Sequence, residues 1–132
     1  MKITAIIQTR MDSTRLPGKV LMKIGEITVL QCLFDQLMYS NTLNHKIIAT
    51  TINKTDDVIA DFANSNGLGL YRGNSSDVLD RYYQCAKQFK IKHIVRITSD
   101  CPLIDPVIID ETVQKYKTGN FDYVNNFYKK RL

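Results

Sequence analysis

The chain has 132 residues, of which 44% are hydrophobic and 23% charged, the balance of one folded unit with a single core rather than of a disordered segment. The net charge is +5, but Lys129, Lys130 and Arg131 carry three of those charges at the end of the chain and leave a body of only +2. A histone-like polycation is therefore excluded and nucleic acid is a poor partner; no apolar run reaches the roughly 18–20 residues that cross a bilayer, so no membrane partner is expected either.

Lys2 to Gln8, rich in isoleucine, predicts a first strand, and Thr9 to Lys19 a polar loop with a Pro17-Gly18 turn. From Ile27 to Met38 the apolar residues Ile27, Leu30, Leu33, Phe34, Leu37 and Met38 recur at helical spacing. Lys46 to Thr51 predicts a second strand. Thr55-Asp56-Asp57 offers a cap for a helix to about Asn66 with Val58, Ile59, Phe62 and Ala63 inward, and Gly67 ends it. Gly69 to Arg72 predicts a third strand. Ser75-Ser76-Asp77 caps a helix with Val78, Leu79, Tyr82, Tyr83, Ala86 and Phe89 on its face. His93 to Thr98 predicts a fourth strand, Asp105-Pro106 opens a helix to about Lys117, and Asp122 to Asn125 starts like a fifth strand. Strands that read as continuous apolar runs between helices predict an α/β fold, a mostly parallel sheet with helices on both faces.

In such folds ligands sit at the carboxyl ends of the strands, which singles out the loops 9–19, 73–77 and 99–105. The first carries Arg10, Arg15 and Lys19 together with Ser13 and Thr14 directly after a buried strand. Arg and Lys beside the backbone N–H groups of a turn suit a di- or triphosphate, Arg15 gripping two oxygens and Lys19 acting as a point charge. The same residues also fit a solvated basic loop, and neither the Walker nor the dinucleotide glycine pattern is present. In the third loop Asp100 stands where a carboxylate would meet phosphate-bound Mg²⁺, although Asp100 and Asp105 also fit turn and helix capping. The turn from Gly73 to Asp77 could approach a base or ribose; plain capping by Ser76 or Asp77 is the simpler reading.

The remaining polar residues read as structural. Cys32, Cys85 and Cys101 show no C-x-x-C spacing, which points to a reducing cytoplasm and to Cys101 as a small buried side chain. His45 and His93 lack metal-ligand spacing. The end of the chain, Phe127 to Arg131, reads as a frayed terminus.

The run from Ala5 to Leu21 is similar to the N-terminal signature of the spore-coat polysaccharide type of cytidylyltransferase, a group related to the acylneuraminate and CMP-KDO synthetases. Ile48-Ala-Thr-Thr with Asp56-Asp57, Arg72-Gly73 through Asp77-Val-Leu-Asp-Arg-Tyr-Tyr83, and Val95 through Asp105 match in order, and Asp122-Tyr123-Val124 also fits. The resemblance implies a Rossmann-like nucleotide-diphospho-sugar transferase fold. It also implies transfer of CMP from CTP to an acidic sugar, ulosonic or nonulosonic, with Mg²⁺ and release of pyrophosphate, for surface polysaccharide. On it, Arg10, Ser13, Arg15 and Lys19 bind the triphosphate, with Arg15 and Lys19 catalytic. Asp100 ligates the metal, and Gly73 and Asp77 lie by the nucleotide. Two departures stand out. Asp12 replaces a usual Gly of the sialic-acid enzymes, and the family continues into a second half that supplies acceptor contacts, another metal-binding Asp and dimer contacts. The 132 residues therefore read as the N-terminal, nucleotide-binding part of one domain, expected to self-associate. The alternative is a CTP-binding module without turnover.

Overall fold

The structure, a computed structural model, describes residues 1–12 and 17–126. Its elements in chain order are strand β1 (Thr4–Gln8), the short strands β2 (Lys23–Ile24) and β3 (Ile27–Thr28), helix α1 (Val29–Leu37), strand β4 (His45–Thr51), helix α2 (Asp57–Ser65), strand β5 (Gly69–Gly73), helix α3 (Val78–Gln88), strand β6 (Ile94–Thr98) and helix α4 (Pro106–Lys117). Four strands form one sheet in the order β5-β4-β1-β6, every pair parallel. Ile6 is in register with Ile47 on one side and Arg96 on the other.

Alternation along each strand sends neighbouring side chains to opposite faces. Ala5, Ile7, Ile48 and Ile97 pack with Leu30, Leu33 and Leu37 of α1, Ile59 and Ala63 of α2, and Ile109 and Val113 of α4. Ile6, Ile47 and Ala49 pack on the other face against Tyr82 and Cys85 of α3. Both faces are thus covered over β1 and β4, as the apolar strand pattern predicts, while β6 keeps one exposed side. Each fully buried leucine or isoleucine contributes about 1.5–3 kcal/mol of transfer free energy.

The helix starts follow their capping residues. Thr28 Oγ1 accepts from Gln31 N at 3.0 Å, Asp77 Oδ1 from Asp80 N at 2.9 Å, and Asp105 Oδ1 from Val107 N at 2.8 Å, with Pro106 in the first turn of α4. Lys115 and Lys117 lie in the last turn of α4, where the helix dipole favours cations.

Several expectations are corrected. Ile27 belongs to a small antiparallel hairpin, β2 with β3, turned at Gly25 with a left-handed φ of 65°, so the helix begins only at Val29. Asp56 does not cap α2 with its side chain; that carboxylate is used in a long-range contact described below. Leu79, Tyr83, Phe89, Met38 and Val58 are exposed rather than inward, because each helix presents a narrower stripe to the sheet than the apolar pattern suggests. Residues 121–126 form no strand, and all but the half-buried Val124 are exposed. Cys101 is exposed, not buried. Among the described residues β6 pairs on one side only, with β1, and its Ile94, Arg96 and Thr98 are exposed. No helix in the described residues is long and apolar enough to cross a membrane.

Candidate functional site

The chain adds β4 and β5 on one side of β1 and then returns to add β6 on the other. The crevice outside the carboxyl ends of β1 and β6 is therefore the point where strand order reverses, the place at which open α/β sheets hold ligands. The loops after these two strands are the ones that carry the candidate cations and carboxylate.

The loop after β1 is fixed at both of its described ends. Thr9 N donates to Ala49 O at 3.1 Å, extending the β1–β4 ladder by one rung. Met11 N donates to Asp56 Oδ1 at 2.7 Å, and the Thr51 hydroxyl donates to Asp56 Oδ2. Asp56, only 1% exposed, thus ties the loop to the end of β4. Thr55 Oγ1 reaches Asp12 Oδ2 at 3.4 Å. At the far end Gly18 N donates to Met11 O at 2.7 Å, joining the two described ends of the loop. Gly18 has a φ of 75°, the left-handed conformation that glycine adopts without strain, and it leads into a 3-10 turn over Lys19–Leu21. Val20 of that turn packs into the core beside α1, so Lys19 emerges from an anchored backbone.

That anchoring brings two of the candidates together. Lys19 Nζ lies 3.8 Å from Asp100 Oδ1, the side chains being 38% and 74% exposed. An ion pair this exposed contributes at most about 1 kcal/mol to stability. Its significance is positional: a cation and a carboxylate from separate loops meet where the strand order reverses. Asp100 is a single carboxylate, and no group of three or more His, Cys, Asp or Glu side chains suited to a metal ion occurs among the described residues. A Mg²⁺ ion fits such a site when phosphate oxygens and water complete its shell, as is usual for this metal. Arg10 lies at the start of the same loop. Ser13 and Arg15 lie outside the described residues, as does the basic tail at 129–131.

The loop after β5 is arranged differently from its sequence reading. Gly73 is buried, and a Cβ there would meet Tyr71 Cε1 at 2.7 Å, so its missing side chain accommodates Tyr71. Asp77 Oδ1 is taken up by capping α3. Asn74 Oδ1 accepts from both the backbone N–H and the hydroxyl of Ser76, at 2.8 and 2.7 Å.

Two arginines that sequence reasoning left without a role support this pole. Arg72 donates to Thr51 O at 2.8 Å and Asn53 O at 2.9 Å and pairs with Asp57 at 2.8 Å, holding the turn after β4. Arg81 is fully buried and donates to Asn74 O and Ser75 O, at 3.0 and 3.2 Å from Nη2. Its pKa is lowered, first by burial and then by the charge of Arg10, with Asp56 and Asp77 acting in the opposite sense. The quoted Asp-Arg-Tyr segment held the signal, but helix position alone cannot tell a buried arginine from a solvated one. A groove of about 520 Å³ at the opposite pole, between Lys46, Gly69 and Phe89, holds none of the candidate residues.

Comparison with known proteins agrees with this layout. The family model for cytidylyltransferases matches residues 4–131. An uncharacterised protein of Methanocaldococcus jannaschii, MJ1063, is 45% identical over 125 residues, covering 95% of this chain and 51% of that protein. The spore coat polysaccharide biosynthesis protein SpsF of Bacillus subtilis is 35% identical over 125 residues, covering 92% and 52%. A cytidylyltransferase structure from Leptospira borgpetersenii superposes with a TM-score of 0.84 at 39% identity, covering 89% of this chain and 50% of the other. The chain spans about half the length of the curated relatives it matches. Motifs in this order on a parallel sheet of this topology, matched by one family model almost from end to end, establish that the chain belongs to the cytidylyltransferase family.

Proposed function

We propose that this chain forms the nucleotide-binding part of an enzyme that moves CMP from CTP to an acidic sugar and releases pyrophosphate, in the making of a surface polysaccharide. The observation that carries the reading is the meeting of Lys19 and Asp100 at the strand-order reversal, on loops pinned by Asp56 and Gly18. The acceptor class rests on the resemblance of residues 5–21 and 95–105 to enzymes of acidic sugars. Three unpaired cysteines accord with a reducing cytoplasm as the place of action.

In this reading the sugar hydroxyl attacks the α-phosphorus. The new O–P bond forms as the bond to the β-phosphate oxygen breaks; pyrophosphate leaves in line and the hydroxyl proton passes to water. Lys19, with Arg10 and Arg15, neutralises charge on the phosphate oxygens, a contribution of positioning and electrostatics rather than covalent chemistry. Asp100 would hold Mg²⁺, which when bound supplies Lewis-acid stabilisation of the phosphate charge. Gly73 and Asp77 border the nucleotide from the β5 side. The edge of β6, unpaired among the described residues, supports self-association of the chain.

Calorimetry tests the reading. CTP with Mg²⁺ binds the wild-type chain and binds at least tenfold more weakly to Lys19→Ala, while thermal stability stays nearly constant. Equal affinity in both proteins would refute it. A second reading is a CTP-binding module without turnover. Pyrophosphate release from CTP and an ulosonic or nonulosonic acid by these 132 residues would exclude it.

A further inference from the structure

The groove of about 520 Å³ at the pole opposite the candidate site continues into a second of about 420 Å³. The two share Thr4, His45, Phe89 and Ile91 in their walls, so they form one trough across the amino ends of the sheet. It passes Gly69 at the start of β5, His45 of β4, Thr4 of β1 and His93 just before β6. Three strand spacings of about 4.8 Å make it about 14 Å long, the reach of roughly four to five extended residues at about 3.3 Å each. Hydrogen bonds fix its walls. Ile3 N donates to Asn44 Oδ1 at 2.7 Å, Thr4 N donates to His93 O at 3.1 Å, and His93 Nδ1 lies 2.9 Å from the Tyr116 hydroxyl.

The walls carry Lys2, Lys46, Lys90 and Lys92 with His45 and His93, and no Asp or Glu. None of these lysines forms an ion pair among the described residues, whose two ion pairs use Lys19 and Arg72. Between the cations lie Ile47, Leu68, Ile91 and a Phe89 ring that is 39% exposed. Lys90 adds an independent observation. Its φ of 54° is the only positive value of a non-glycine residue among the described residues. It closes α3 in a left-handed turn, with Ile91 N donating to Ala86 O at 2.8 Å, a position that glycine fills without strain. The helix dipole does not require this cation, because Lys87 already stands in the last turn of α3. A lysine kept at a strained position, on the rim of a trough without counter-charge, is the local conflict expected of a binding surface.

We propose that this trough docks an extended acidic segment of a partner protein, its carboxylates on the lysines and one apolar side chain against Phe89 and Ile91. Walls of one sign select an anionic occupant. The aliphatic floor selects a peptide, since a nucleic acid strand stacks successive bases on aromatic rings and Phe89 is the one Phe, Tyr or Trp in these walls. A concave trough also does not lie flat on a lipid surface. The docked segment sits at the far pole from Lys19 and Asp100, so it leaves their crevice open and is independent of the proposed reaction.

Fluorescence anisotropy at low ionic strength tests the docking, with a fluorescein-labelled peptide in which glutamates flank a central phenylalanine. The wild-type chain binds this peptide, and affinity falls as salt rises. Lys90→Glu combined with Lys92→Glu weakens binding at least tenfold, because two attractions become repulsions. Lys90→Gly weakens binding about threefold yet raises the midpoint of urea unfolding, since glycine relieves the left-handed strain. A merely structural lysine would raise the midpoint and leave peptide affinity unchanged, and that result overturns the proposal. Exchanging the peptide's phenylalanine for glutamine weakens binding at least threefold through lost apolar burial. Equal binding of the glutamine peptide would leave only diffuse charge attraction and overturns the trough as the site. No binding to wild type, or equal binding by the double variant, overturns it too. Tighter binding of an oligothymidylate than of the peptide overturns it in favour of a nucleic acid strand.

Discussion

Replacing Asp56 is the sharpest test of how the loop after β1 is held. The carboxylate is 1% exposed and accepts from Met11 N at 2.7 Å and from the Thr51 hydroxyl. Hydrogen bonds to a charged group are worth about 1.5–3 kcal/mol each, so the two together set an upper limit of about 3–6 kcal/mol. Removing the buried charge returns part of its desolvation penalty, which leaves an expected destabilisation of about 2–4 kcal/mol for Asp56→Ala. At the size of this chain that corresponds to a fall in Tm of about 8–16 °C. Asp56→Asn keeps an oxygen for Met11 N–H and a donor for Thr51 Oγ1, so it should lose about half as much. Urea unfolding measures both. CTP binding, measured where each variant is still folded, should weaken about tenfold in Asp56→Ala, or about 1.4 kcal/mol, because the loop start is no longer tied to β4. If Asp56→Ala changes stability by less than about 0.5 kcal/mol and leaves CTP affinity alone, the anchor does not hold the loop and the reasoning fails.

Three further outcomes are expected. Gly73→Ala places a Cβ 2.7 Å from the Tyr71 ring and should cost about 1–3 kcal/mol in urea unfolding; most of that cost should vanish in a Tyr71→Leu background, and an additive double variant would exclude the clash as its cause. Burial alone would raise the pKa of Asp110, but hydrogen bonds from Asn41 N, the Ser40 hydroxyl, and the hydroxyl and N–H of Thr42 outweigh it and lower the value. The folded pKa is then below the unfolded one, so the stabilisation is present above the ordinary carboxylate range and fades as pH falls through the folded pKa; the stability gap between wild type and Asp110→Ala should therefore shrink on acidification below about pH 4, and a constant gap would contradict the assignment. Burial pushes the Cys85 thiol up to about 11 while Cys101 is exposed, so iodoacetamide at pH 8 should label Cys101 first and Cys85 only on unfolding, as read by peptide mass.

The parallel sheet was legible because its strands are nearly continuous apolar runs and three of its helix starts carry Thr, Asp or Asp-Pro at the cap. The hairpin at 23–28 was not, since two residues per strand offer no alternation; Gly25 between Ile24 and Ile27 was its one local sign. Asp122 to Asn125 has strand-like composition, yet a strand exists only where another supplies its hydrogen bonds. Lys19 and Asp100 were found as single residues from their loops, and the fold supplied the fact that they meet. Asp56 was misread for a physical reason: an acid before a helix looks like a cap, and nothing local reveals an N–H donor 45 positions earlier in the chain.

The arginines show why net charge is a poor guide to the site. Arg72 spends its donors on Thr51 O, Asn53 O and Asp57, and its cation is consumed in holding a turn. Arg96 lies 4.8 Å over the Tyr82 ring, where the π face offsets part of its charge. Arg81 forms no ion pair among the described residues, although Asp56 and Asp77 act on its charge, and it is the most deeply buried of the three. A buried cation held by carbonyls rather than by an ion pair is tolerated at a cost in stability. Where each arginine spends its donors, rather than the +5 total, is what connects the composition of this chain to its structure.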